Sequence, residues 1–283
     1  MQNSDWFTEE CVECGAAFSL EIHEKLHEEQ TPFQKIEIYS TKHFGNLMVI
    51  DGFVMLTERD NFIYHEMLTH PALYCHPNPR NVLIIGGGDC GTLREVAKHR
   101  CVEKVTQVEI DQRVTHLSQQ YFPQLCDSNN DPRVKLVFED AIEWVKNAEN
   151  QSFDLIIVDS TDPIGPAKGL FSTSFYQNCT RLLANKGILV QQSESPLIHL
   201  ESIIKPMHDC MQQAGFNEIE LIHFPVASYP SGWWTASMAS KNSAITFCRE
   251  AQSRSSELET HYYNHAIHQA CFASPNFVIN ELC

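Results

Sequence analysis

From residue 80 onward the chain repeats one pattern that few folds can accommodate: a short, unbroken apolar run, a turn, then a segment with helical spacing. Residues 82–85 (V-L-I-I) are the first such run. Apolar side chains at every position, rather than every second one, predict a strand buried on both faces. Further strands are expected at 105–110, 134–138, 153–159, 187–192, 219–223 and 234–240. Helices are expected between them at 93–99, 113–121, 141–147, 173–183 and 200–214. Alternating β and α units imply the α/β class, with a doubly wound, mostly parallel sheet.

The first 57 residues follow a different rule. Segments 17–27 and 33–40 alternate apolar and polar residues, 44–50 is a third run, and Asp51-Gly52 marks a turn before 53–56. This predicts a small antiparallel β domain over residues 1–57, leaving 58–283 for the α/β domain. A helix is expected over 59–74, with Pro71 kinking or shortening it.

Thirty-six acidic residues against twenty basic ones give a formal net charge of −16. That argues against nucleic acid and anionic membrane surfaces as partners and suits a cationic small molecule, although acidity also serves solubility. No apolar stretch approaches the roughly 20 residues needed to span a bilayer. The polar, acidic start is unlike a signal peptide, so a cytoplasmic address is expected. The odd count of 11 cysteines suggests thiols rather than a disulfide framework. Cys11 and Cys14 form a C-x-x-C with no second pair at zinc spacing, and read as incidental thiols. His261, His265 and His268 stand near helical spacing without a carboxylate partner, so no metal is expected.

The chemistry concentrates where strands end. Residues 86–91 (G-G-G-D-C-G) join the first buried strand to its helix, and such a turn lets a backbone approach a ligand closely. Glu109 closes the next strand, where a carboxylate accepts from ribose hydroxyls. These features alone fit a nicotinamide dinucleotide or an S-adenosyl ligand equally. Asp140 follows the third strand and can cap the next helix or meet an adenine amino group. Asp159 and Asp162 follow the strand at 153–159. With Asp89 they form an acidic mouth that repels phosphate and holds an ammonium, which favours a cation-bearing nucleoside over a dinucleotide.

The ordered set G-G-G-D-C-G-T-L-R at 86–94, D-S-T-D-P-I-G-P at 159–166, F-I-Y-H-E at 62–66, Y-P-S-G at 229–232 and Y-Y-N at 262–264 resembles the polyamine aminopropyltransferase (spermidine synthase) family from about Phe18 to about Phe277. The resemblance implies a Rossmann-like, methyltransferase-like sheet and a homodimer. It also implies aminopropyl transfer from decarboxylated S-adenosylmethionine, a co-substrate rather than a cofactor, to putrescine. Spermidine and S-methyl-5'-thioadenosine would be the products. By position it implies that Gln34, Asp89, Glu109, Asp140, Ala141 and Pro166 bind the donor. His65, Asp89, Asp159, Asp162, Gln192 and Tyr229 would surround the diamine, and Asp159, beside Tyr64, would accept the proton. Two positions depart from the family: Cys90 and Ala141 each stand where glycine is usual, and Cys90 is expected to crowd the turn. Cadaverine, spermidine or agmatine would need only a different slot length. Among Trp6, Tyr64, Tyr229, Trp233 and Trp234, a ligand role is expected for Tyr64 and Tyr229. The competing functions are an S-adenosylmethionine-dependent methyltransferase, a nicotinamide dehydrogenase and a non-catalytic polyamine-binding protein.

Overall fold

The computed structural model describes residues 5–12, 14–163, 165–255 and 257–282, and leaves out the Pro166 side chain. Strands β1 (Trp6–Cys11), β2 (Ala16–Gln30), β3 (Lys35–Thr41), β4 (Asn46–Ile50) and β5 (Phe53–Thr57) form an antiparallel meander in chain order. Its β4–β5 turn places Asp51 at φ 51° and Gly52 at φ 91°, the left-handed pair that a two-residue hairpin requires. Strand β1 was not foreseen from the sequence W-F-T-E-E-C, because its inward residue is a charged one, Glu9.

Helix α1 (Asn61–Cys75) follows and runs through Pro71 without ending there. The missing N–H costs one intrahelical bond, but burial against the sheet strands outweighs that loss. Then come β6 (Asn81–Gly86), α2 (Gly91–Ala97), β7 (Lys104–Glu109), α3 (Gln112–Tyr121), β8 (Val134–Phe138), α4 (Ala141–Asn147) and β9 (Phe153–Asp159). The chain continues through α5 (Thr173–Leu182), β10 (Leu183–Gln192), α6 (Pro196–His199), α7 (Lys205–Gln213), β11 (Glu218–Pro225) and β12 (Trp233–Ser240).

These strands form one seven-stranded sheet in the order β11-β12-β10-β9-β6-β7-β8. Strands β6 to β10 are parallel, while β12 runs antiparallel to both of its neighbours. Alternate residues of each buried strand feed opposite faces, which makes the sheet doubly wound. Val82, Ile84, Leu155 and Ile157 join the layer containing α1 and α2, whereas Leu83, Ile85, Ile156 and Val158 join that of α4, α5 and α7. The antiparallel sheet docks through Ile36, Ile38, Met48 and Leu56 onto Val114 and Leu117 of α3.

Several local expectations need correction. Strand β10 begins at Leu183, before the expected 187, with a register irregularity between Leu183 and Ile188. The helix expected over 200–214 is preceded by α6 and carries a π segment at Leu200–Ile204. Short 3-10 turns at Gly165–Phe171, and helices α8 (Glu250–Arg254), α9 (His265–Cys271) and α10 (Asn276–Leu282), were not read from the sequence. These pieces are too short for periodicity to reveal.

The C-terminal segment is held by one buried carboxylate. Glu66, fully buried on α1, accepts backbone N–H bonds from His261 (2.7 Å), Tyr262 (2.9 Å) and Tyr263 (2.7 Å). Glu66→Ala would leave these donors unpaired and is expected to cost about 3–5 kcal/mol. The measurement is the urea midpoint. Lys146→Ala, which breaks an exposed pair with Glu143, is expected to leave that midpoint unchanged.

Candidate active site

Strand order places four carboxyl ends side by side. Gly86 pairs with Asp159 across β6 and β9, and Glu109 pairs with Phe138 across β7 and β8. Ligand crevices in such sheets open beyond these ends, where the strand order reverses. The loop 86–91 crosses the gap at a distance only glycine allows. Gly86 has φ 79°, and a Cβ there would lie 2.2 Å from the Asp159 carbonyl oxygen. A Cβ on Gly91 would lie 2.2 Å from the His65 ring. Cys90 occupies a left-handed position at φ 69°, where glycine would be favoured. Its buried thiol turns back toward the Gly88 carbonyl (3.6 Å), so the residue strains the backbone without entering the cleft.

The Asp159 carboxyl is nearly buried, and each of its oxygens accepts one hydroxyl. Tyr64 Oη donates to Oδ1 (2.7 Å) and Thr92 Oγ1 donates to Oδ2 (2.6 Å). Burial pushes this carboxyl above its ordinary range and the charge on Asp89 adds to that, while the two hydroxyls and His65 pull back. Burial and Asp159 hold the Tyr64 phenol well above its ordinary value, so it stays a donor.

Asp89 is treated differently by its surroundings. Its carboxylate accepts from the Gly91 N–H (2.6 Å) and stands 3.2 Å from His65 Nε2. Burial opposes its charge, yet His65 and the Gly91 N–H prevail and hold it below the usual range. Burial likewise opposes a charged His65, but Asp89 prevails and pushes the imidazole up.

A cavity of about 150 Å³ opens over these groups, lined by Gln34, Tyr64, Asp89, Glu109, Asp140, Ala141, Asp159 and Tyr229 among others. Glu109 accepts from the Asp111 N–H (2.8 Å), but burial pushes its carboxyl up to about 7. Asp140 caps α4 by accepting from the Ile142 N–H (2.8 Å), so capping and cavity lining coexist in one residue. Gln34 reaches over from the antiparallel sheet and donates to Asp111 Oδ2 (3.1 Å). The expected contact of the Pro166 side chain lies outside the described part.

A narrower arm of about 40 Å³ continues from this cavity, sharing Met55, Tyr64, Ser160, Thr161 and Tyr229 with it. The arm adds Asp162, Gln192, Trp234 and Glu9. Tyr229 donates to the Met55 carbonyl (2.6 Å), and its ring packs 4.7 Å from Trp234. His65, expected beside the diamine, lines neither space and stands behind Asp89. Trp6 is 49% exposed, and Trp233 packs against His223 and Phe277, so neither lines the cavity or the arm.

Sequence reasoning missed Thr92 and Glu9. Thr92 is a buried hydroxyl one residue past the glycine loop, and the 86–94 motif contained it without a role. Glu9 lies on the unforeseen strand β1, accepts from the Val54 N–H (2.7 Å), and is pushed up to about 7 by burial, with Asp162 adding to the rise. An isolated glutamate near the start of a chain carries no signal that it will be folded over a distant strand end.

Residues 61–249 match the family described as the spermine/spermidine synthase domain, and residues 5–58 match the spermidine synthase tetramerisation domain. A polyamine aminopropyltransferase from Thioalkalivibrio sulfidiphilus is 62% identical over 280 residues, covering 99% of this chain and 98% of that protein. One from Methylococcus capsulatus is 58% identical over 273 residues, covering 96% of this chain and 95% of the other. Among solved structures, a spermidine synthase in complex with the transition-state analogue AdoDATO superimposes with TM-score 0.93 at 35% identity, covering 99% and 96% of the two chains. The spermidine synthase from Thermotoga maritima gives TM-score 0.91, also at 35% identity, covering 100% of this chain and 95% of its own. With the paired-hydroxyl carboxylate set beyond a parallel sheet, these likenesses establish that the chain belongs to the spermine/spermidine synthase family and is a transferase of the polyamine aminopropyltransferase kind.

Proposed function

We propose that this enzyme moves an aminopropyl group from decarboxylated S-adenosylmethionine to putrescine, releasing spermidine and S-methyl-5'-thioadenosine. The observation that carries this reading is the Asp159 carboxyl, bracketed by two hydroxyls on the floor of the wider cavity, with its partner Tyr64 shared between that cavity and a narrow acidic arm. The adenosyl part fits the wider space, with Glu109 toward the ribose hydroxyls and Asp140 and the Ala141 N–H toward the base. Asp89, kept ionised by His65, matches the donor's single ammonium. A methyl donor carrying an α-amino acid would bring a carboxylate against Asp89, which disfavours the methyltransferase alternative. The AdoDATO complex of the related spermidine synthase supports the same reading.

The acceptor lies in the arm between Tyr64, Tyr229 and Trp234, with its far ammonium toward Asp162, Gln192 and Glu9. An alkylamine has a pKa near the lysine value of about 10.4, so its attacking nitrogen must lose a proton. Asp159 accepts that proton, and the carboxyl's elevated pKa narrows the mismatch with the amine. The nitrogen lone pair then forms the N–C bond as the C–S pair returns to sulfur, discharging the sulfonium. Asp89 and Asp159 hold the two reactants facing each other, which is a proximity effect.

We further assign the donor contacts of Gln34 and Pro166, and the arm contacts of Asp162, Gln192 and Tyr229, to this reaction. Residues 58–283 act as the catalytic domain, and residues 1–57 serve assembly while lending Gln34, Met55 and Glu9 to the site. The match to a tetramerisation domain supports a homo-oligomer built through the antiparallel sheet, dimer or tetramer being decided by light scattering. No described helix is long and apolar enough to cross a membrane, which accords with a cytoplasmic enzyme.

Asp159→Asn is expected to lower kcat by about 10²–10⁴-fold while leaving donor affinity nearly unchanged, as read by steady-state kinetics and calorimetry. Undiminished turnover would remove Asp159 from the role. Thr92→Val takes away one donor that stabilises the Asp159 anion, so its carboxyl rises further and the acid limb of the kcat profile moves to higher pH. Thr92→Ser should restore the limb. An ionised Glu109 accepts from both ribose hydroxyls, which a protonated one cannot do, and burial pushes its carboxyl up to about 7 in the free enzyme. Affinity for methylthioadenosine should therefore hold above that pH and weaken below it, approaching about tenfold per pH unit, measured by calorimetry from pH 8 to 5.5.

A further inference from the structure

Behind the narrow arm lies a carboxyl that no step above uses. Glu194 follows the end of β10 by two residues and is fully buried. Its φ of 66° puts a non-glycine residue in the left-handed region, a strained conformation that persists only where its surroundings enforce it. Those surroundings are polar and specific. The Glu194 N–H donates to Gln192 Oε1 (3.2 Å), and Gln192 Nε2 donates back to Glu194 Oε1 (3.1 Å). Thr235 Oγ1 donates to the Glu194 backbone carbonyl (2.8 Å).

The other carboxyl oxygen, Oε2, is buried and receives no hydrogen bond from any described group. The charged or titratable groups facing it come from three directions. Asp162, beyond β9, lines the same arm as Gln192, the residue bonded to this carboxyl, and acts on Glu194 from there, while Glu9 on β1 adds a further acidic group to that arm. From α6, His199 Nδ1 stops 3.8 Å away, beyond hydrogen-bond reach. An ionised Glu194 would therefore be a buried anion facing other carboxylates, with one oxygen lacking a donor. A protonated Glu194 has an O–H to give, and Asp162 is there to accept it.

We propose that Glu194 is a neutral carboxylic acid whose O–H donates to Asp162, and that it is the positioning residue that fixes Asp162 and Gln192 as the wall of the acceptor arm. The pair then presents one negative charge to the arm instead of two. Burial, reinforced by Asp162, pushes the Glu194 carboxyl well above its ordinary range, in the same direction. Carboxyls kept neutral by burial so that they can donate are a known device of active sites. Only the identity of the arm's occupant rests on the function proposed above; the protonation of Glu194 does not.

The test uses the full-length enzyme with E194Q and E194L. Glutamine keeps both the donor toward Asp162 and the acceptor toward Gln192 Nε2, without a titratable proton. Infrared difference spectra of wild type minus E194Q at neutral pH are expected to show the carbonyl band of a protonated carboxylic acid. E194Q should keep the putrescine KM within about threefold of wild type. E194L leaves buried polar groups without partners and should raise that KM about tenfold or more while the donor KM barely moves. Absence of the infrared band overturns the proposal and indicates an ion pair with His199 instead. E194Q as impaired as E194L overturns it too, since the charge itself would then matter. If E194L does not fold, the spectrum and E194Q decide alone. If putrescine is not turned over and the band is present, the assigned acceptor falls and the neutral Glu194 stands.

Discussion

Taking a carboxylate out of water is the constraint around which this molecule is arranged. Three of the carboxyls lining the cavity, Asp89, Asp159 and Glu109, are each matched to a different set of donors. Asp89 has a histidine and a backbone N–H, and burial loses to them. Asp159 has two neutral hydroxyls, which orient it without supplying charge, and burial prevails. Glu109 has a single backbone N–H and is pushed up to about 7. In the reaction proposed here, a fixed anion, a poised base and a hydroxyl acceptor would thus arise from one residue class, because desolvation is common to all three and compensation is not.

The fold supplies that compensation through elements far apart in sequence. Helix α1 carries Tyr64 and His65, so one element serves Asp159 and Asp89 together. Helix α2 presents Thr92 one residue after Gly91, whose lack of a side chain makes room for His65. The antiparallel sheet closes the cleft by bringing in Gln34, Met55 and Glu9. Neither sheet alone forms the arm: Glu9 and Met55 come from one, Asp162, Gln192 and Trp234 from the other.

Much of this was legible in the residue order. The apolar runs at 82–85 and 153–159 announced strands buried on both sides, and the structure divides their side chains between two core layers. Asp51-Gly52 announced its hairpin, and the glycine loop announced the turn from β6 to α2 that lines the cavity. Pro71 did not shorten its helix, because proline's local cost is small beside the burial of a whole helix. Strand β1 escaped because its inward residue is a glutamate, and pattern reading assumes that inward means apolar. The C-terminal helices escaped because each spans seven residues or fewer and is held by tertiary contacts such as those of Glu66.

By itself the sequence determined the class of sheet, the position of its strand ends and the acidic character of what stands there. Local periodicity and turn chemistry are properties of neighbouring residues, and they survive without knowledge of the rest of the chain. Only the tertiary structure decided which carboxyl is lowered, which is raised and which, like Glu194, keeps one oxygen without a donor among the described residues. Those outcomes depend on depth of burial and on partners such as Thr92 for Asp159, 67 residues away, or Asp162 for Glu194. Such distances through space have no image in the order of the residues.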